Sequence, residues 1–164
     1  MKQIEIARTY LGKLEVPGNA GFKDPEFEKE MKALGEWQPG YAWCACFAQM
    51  VFRKAFPEKS EAFKKLFDPS TRKTLENFKA AGYTIFDKPI LGSLVIWGLY
   101  KDGKLTYNGH AGIVSMAIND TTFMSIEGNT GASGSRNGDR VFEHTRTLSG
   151  DKSGLDVMGF IKVV

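Results

Sequence analysis

The chain has 164 residues and a mass of 18.2 kDa, with 42% hydrophobic and 25% charged residues. These proportions exclude a disordered or fibrous chain, and a domain of this length buries roughly 70% of its unfolded surface without needing disulfides or a structural metal. The net charge of +3, from 22 basic and 19 acidic residues, lies in residues 1–82 without forming a basic stripe, which argues against a nucleic-acid binder and leaves a solvated face or a mild attraction to an anionic surface.

Lys2, Glu5 and Arg8 interrupt the N-terminal apolar residues, so no signal peptide is expected. Ile4, Ala7 and Leu11 recur at helical spacing up to Gly12, and a second helix is expected from Pro25 through Phe27 and Met31 to Gly35. The Pro39-Gly40 step predicts a turn. From Cys44 to Phe56 the chain is apolar on most sides, which predicts a buried helix ended by Pro57. Amphipathic stretches at 61–67 and 71–81 follow. After Gly82 the period changes. Segments 93–99, 111–117, 122–127, 141–147 and 157–163 are short, rich in Val, Ile, Phe and Thr, and bounded by Gly, Asn and Asp, as strands are. The run 93–100 is far too short to span a bilayer. Helices first and strands after, without αβ alternation, predict one α+β domain spanning 1–164, with N-terminal helices packed on an antiparallel sheet of about five strands.

Two cysteines, Cys44 and Cys46, stand one residue apart, too close to clip a useful loop, so they are expected to be reduced. Cys44 follows a turn and opens the predicted buried helix, where unpaired N–H groups and the helix dipole favour a thiolate. Cys46 points about 200° away around that helix and reads as a core residue. A thiolate nucleophile needs a base, and only His110 and His144 are available. His110 lies between Gly109 and Gly112 at the mouth of a strand. His144 lies in a polar alternating strand that reads as solvent-facing. A third group should orient the imidazole; Glu127 and Asn129, two apart on extended chain, are candidates, although taken alone they read as a strand-end carboxylate and a turn asparagine. The glycine-rich segment 128–138 lacks a phosphate-loop ending and reads as a mobile loop near the cleft.

Residues 42–48 (Ala-Trp-Cys-Ala-Cys-Phe-Ala), 109–114 (Gly-His-Ala-Gly-Ile-Val) and 126–129 (Ile-Glu-Gly-Asn) resemble, in order and setting, the motifs of the CHAP domain family, part of the papain-like group that includes the NlpC/P60 enzymes. Residues 91–97 resemble its first core strand, with Ser93 in place of the usual Asp, and 6–27 resemble the start of single-domain phage lysins and related bacterial wall hydrolases. The resemblance implies a papain-like fold and cleavage of an amide bond in peptidoglycan, by an N-acetylmuramoyl-L-alanine amidase or a peptide endopeptidase. It implies Cys44 as nucleophile, His110 as general base, Glu127 as orienting group and Asn129 as an auxiliary polar residue. Tyr41 and Trp43 are expected to wall the substrate cleft. No cofactor, nucleic acid or membrane insertion is expected. The expected protein is a monomer that reaches the wall after release or by non-classical export.

Two other classes fit fewer features. A metal module built on Cys44, Cys46 and His110 lacks a fourth ligand and zinc-site spacing. A non-catalytic wall-binding or immunity-type protein would keep the fold without an activated thiol.

Overall fold

The computed structural model describes residues 1–148, 152 and 154–164. Helix α1 (Lys2–Arg8) is followed by a two-stranded hairpin, β1 (Glu15–Val16) and β2 (Gly21–Phe22). Helices α2 (Pro25–Leu34), α3 (Cys44–Ala55), α4 (Ser60–Leu66) and α5 (Thr71–Ala80) come next. The rest is sheet: β3 (Ile85–Phe86), β4 (Leu94–Lys101), β5 (Lys104–Ala117), β6 (Thr122–Thr130), β7 (Arg140–Thr147) and β8 (Leu155–Ile161), in the order β3-β8-β4-β5-β6-β7 with every pair antiparallel. The α+β, papain-like arrangement agrees with the sequence. The sheet has six strands rather than five because the short β3, in a segment with no strand pattern, pairs with β8.

Local chemistry sets the helix ends. Asp24 caps α2 by accepting from the backbone N–H of Glu26 and Phe27, Pro25 starts the helix, and Gly35 stops it. Ser70 caps α5 through Lys73 N–H. Helix α3 has no side-chain cap, so its first N–H groups stay free for other use. Helix α1 ends at Arg8, short of Gly12. Tyr10 and Leu11 N–H turn back to Ala7 and Arg8 carbonyls, and Gly12 then donates to Val141, laying the chain along the edge strand β7.

Alternation divides the sheet. Ile96, Ala111, Ile113, Ile126 and Ile161 join the helices in one large core, with α3 at its centre. Val95, Trp97, Val114, Phe123 and Phe160 form a smaller cluster on the alternate positions. The helix layer lies close to β6 because residue 128 is glycine. A Cβ there would fall 2.7 Å from Phe47 Cβ and from the Trp43 ring. Gly112 does the same for a neighbouring side chain, since a Cβ would lie 2.8 Å from Glu127 Cγ. These glycines admit packed protein groups.

Overpacking of this kind costs about 1–3 kcal/mol. Gly128→Ala is therefore expected to lower the urea midpoint by a corresponding amount with an unchanged m value; a midpoint equal to the parent's would show that α3 has room to withdraw from β6.

Candidate active site

The α3 N-terminus meets the backbone of β5. Cys44, only 4% exposed, sits at the first position of the helix, with the backbone N–H groups of Ala45 and Ala111 near its sulfur. His110 lies in β5 opposite Trp97 of β4, fully buried, with the two rings 5.5 Å apart. Its Nε2 lies 2.8 Å from Glu127 Oε2, and because an ionised carboxylate only accepts, Nε2 carries the proton. Nδ1 makes no hydrogen bond of standard geometry within the protein. The group beside the imidazole on the α3 side is the Cys44 thiol, near enough that each favours the charged form of the other. Catalytic contacts of this kind tighten once substrate is bound.

Glu127 is also fully buried. Ser125 Oγ donates to its Oε1 at 2.6 Å, Arg146 Nε donates to Oε1 at 2.9 Å, and a second Arg146 nitrogen donates to Oε2. Burial on its own would raise the carboxyl pKa, but Arg146 and then His110 outweigh it and hold the group ionised, at about 2. Burial likewise works against a charged His110. The negative charge of Cys44, the hydrogen bond with it, and then Glu127 reverse the effect and raise the imidazole to about 9. For Cys44 burial again opposes ionisation, while the His110 charge and hydrogen bond and the two backbone N–H groups bring the thiol below its usual value. Each of the two shifts favours the charged form of its group. Cys46 behaves oppositely: burial first, then the charge of Cys44, pushes its thiol far up.

Cys44 opens into a cleft of about 100 Å³ lined by Ala42, Pro69, Ser70, Thr71, Tyr107, Asn108, Gly109 and Arg136. A larger, wide-open hollow of about 810 Å³ lies over Phe22 and α2 and shares no lining residue with this cleft.

The structure thus brings Cys44, His110 and Glu127 together and separates the others. Asn129 is buried, and its side chain makes no hydrogen bond to His110 or any other protein group. Its φ of 54° breaks the strand alternation that would have put it beside Glu127, and the β6–β7 register shifts at this point. Trp43 does not wall the cleft. It is fully buried, its ring packs against Phe22, Phe27 and Phe47, and its indole N–H donates to Glu15 at 2.6 Å, because the cap position of α3 turns it into the core. Tyr41 is 39% exposed, one residue before the cleft wall at Ala42, and its carbonyl accepts from the Trp37 indole. His144 is buried rather than solvent-facing; its ring lies tilted against Phe142, and it contacts Thr130 Oγ1 at 3.2 Å. Among the described residues no group of three or more His, Cys, Asp or Glu side chains is placed to hold a metal ion, and no helix is long and apolar enough to cross a membrane.

Sequence reasoning missed Arg146, Ser125 and the Tyr107–Arg136 cleft walls. The only available signal for Arg146 was that a buried acid demands a cation, which does not say which of many it takes.

No curated protein matches the chain. Compared with known families, residues 36–129 match the CHAP domain, a span that covers more than half the chain and holds Cys44, His110 and Glu127. CHAP domains are generally hydrolase domains of the cysteine amidase type, linked to peptidoglycan. With its Cys44-bearing helix laid against an antiparallel sheet and its sequence matched from Glu36 to Asn129, the chain belongs to the CHAP domain family.

Proposed function

We propose that the protein hydrolyses an amide bond in the peptide part of peptidoglycan with Cys44 as nucleophile, acting as an N-acetylmuramoyl-L-alanine amidase or a peptide endopeptidase at the cell wall. The observation that carries this reading is the buried His110–Glu127 hydrogen bond, at 2.8 Å, set beside the buried Cys44 at the start of α3. A non-catalytic wall binder would gain nothing from a buried carboxylate kept charged beneath an imidazole.

In this mechanism Cys44 Sγ attacks the amide carbonyl carbon and forms the C–S bond while the carbonyl oxygen takes up negative charge. The free backbone N–H of Cys44, at the uncapped start of α3, donates to that oxygen. The His110 imidazolium gives its Nδ1 proton to the amine nitrogen, the C–N bond breaks, and the amine leaves. The neutral His110 then removes a proton from water, the hydroxide attacks the thioester, and the Cys44 thiolate departs as the acid product forms. Throughout, Glu127 holds Nε2–H, so the ring presents Nδ1 to the sulfur. Asn129 in this reading assists from outside the His110 contacts, and Tyr41 extends the outer wall of the cleft.

Cys44→Ala is expected to reduce release of muropeptides from purified sacculi by at least about a thousandfold, whereas Cys46→Ala keeps the activity of its folded fraction. Mass spectrometry of the released fragments then separates amidase from endopeptidase cleavage. Undiminished digestion by Cys44→Ala would overturn the reading.

The pH dependence has a fixed sign. The imidazolium that protonates the leaving amine is lost as pH rises through about 9, so kcat/KM falls there. On the acid side it falls as Cys44 takes up a proton, at a pH below that of an ordinary thiol. The expected profile is a bell whose alkaline limb lies near pH 9. A profile still rising through that pH would contradict the ion pair.

A further inference from the structure

Orientation of His110 by Glu127 requires a carboxylate without solvent to keep both its charge and a single direction. Several groups face Glu127: His110 from β5 and Cys44 beyond it on α3, Arg146 and His144 from β7, and the Ser125 hydroxyl from its own strand. Arg146 alone among them carries a permanent positive charge. Its two-point grip on both carboxylate oxygens, with Ser125 on Oε1 and His110 on Oε2, occupies the positions from which Glu127 could accept, so the carboxylate cannot turn without breaking the pair. The guanidinium in turn rests 5.4 Å over the Trp97 ring, the same ring that packs against His110. One indole therefore backs both the cation and the base.

Arg146 makes one more contact. It donates to the Gly134 carbonyl at 3.1 Å, at a residue whose φ of 78° suits glycine and where a Cβ would come within 3.0 Å of Arg146 Nη1. Two residues further on is Arg136, on the wall of the Cys44 cleft.

We propose that Arg146 is a positioning residue: it fixes Glu127 so that His110 stays aimed at Cys44, and through Gly134 it ties the segment bearing Arg136 to the same carboxylate. This inference rests on the cysteine-hydrolase reading of the site. Arg146 lies outside the cleft wall and touches no substrate; it acts through Glu127.

Arg146→Gln removes charge and fork, Arg146→Lys keeps the charge without the fork, and Gly134→Ala crowds the guanidinium without removing it. Each is measured by sacculus digestion, giving kcat and KM against pH, and by iodoacetamide modification of Cys44 against pH, which needs no substrate. Arg146→Gln is expected to lower kcat about 10- to 100-fold, the usual cost of losing an outer orienting partner, with KM nearly unchanged. Its Cys44 modification profile should move to higher pH. Without the guanidinium Glu127 takes up a proton more readily, a neutral Glu127 no longer favours imidazolium, and the thiolate loses its partner. Arg146→Lys should return that profile toward the parent's while restoring kcat only in part, and Gly134→Ala should fall between parent and Arg146→Gln. The proposal is overturned if Arg146→Gln keeps the parent's kcat and modification profile, or if Gln and Lys lose activity equally with the profile unmoved. Should Arg146→Gln not fold, Arg146→Lys and Gly134→Ala both matching the parent would overturn it equally well. If even the parent fails to digest sacculi, the substrate assignment falls while the modification profiles still decide the role of Arg146.

Discussion

A carboxylate removed from water must be paired or it will take up a proton, and Glu127 is removed from water completely. The surroundings of this one charge organise the centre of the molecule. Arg146 and His110 supply positive charge, Ser125 fills the remaining lone pair, and Trp97 backs both cationic partners. Breaking a buried pair of this kind by removing one partner costs about 3–5 kcal/mol, so the arrangement constrains stability as well as chemistry. The ionised Glu127 makes a protonated His110 affordable in the interior, and the protonated His110 makes a thiolate at Cys44 favourable. Charge is thereby relayed from β7 through β6 and β5 to the start of α3.

Backbone placement makes that relay possible. Gly112 leaves the volume that the Glu127 side chain occupies, and Gly128 lets α3 approach β6 closely. The uncapped start of α3 puts free N–H groups where sulfur and a developing oxyanion need them. Burial then separates the two thiols by environment. His110 and nearby backbone N–H groups lower the Cys44 thiol, whereas burial and the charges of Cys44, Asp68 and Glu36 raise that of Cys46, so the two thiols are pushed in opposite directions.

Much of this was legible in the sequence because it depends on residue type and local context. A cysteine after a turn at the start of an apolar helix, a histidine between glycines in a strand, and an acid at the end of the next strand needed no long-range information. Helices α2, α3 and α5 fell within a residue of their expected bounds because capping residues, proline and glycine act locally. What was not legible depended on register. Phe123 lies opposite Arg146 and Ser125 opposite His144, so Arg146 reaches along the strand past Ser125 to Glu127, and His144 turns inward. Strand alternation alone cannot tell which face of an edge strand is covered. The expectation that Asn129 shares a side with Glu127 rested on the same alternation, and a left-handed residue with a register shift interrupts the period of two at that point. Trp43 looked like a cleft wall by proximity to Cys44 in sequence, yet the cap position of a helix can direct a side chain away from the residue that follows it.

The central claim is that His110 is held protonated by a thiolate at Cys44 and by Glu127. The most direct test is an NMR titration of the His110 ring nitrogens in the parent and in Cys44→Ala. The account predicts an imidazole that stays protonated up to about pH 9 in the parent, with Nε2 remaining the protonated nitrogen above it, and a clear fall in that pKa when the sulfur is removed. A His110 pKa unchanged by loss of Cys44 would contradict it.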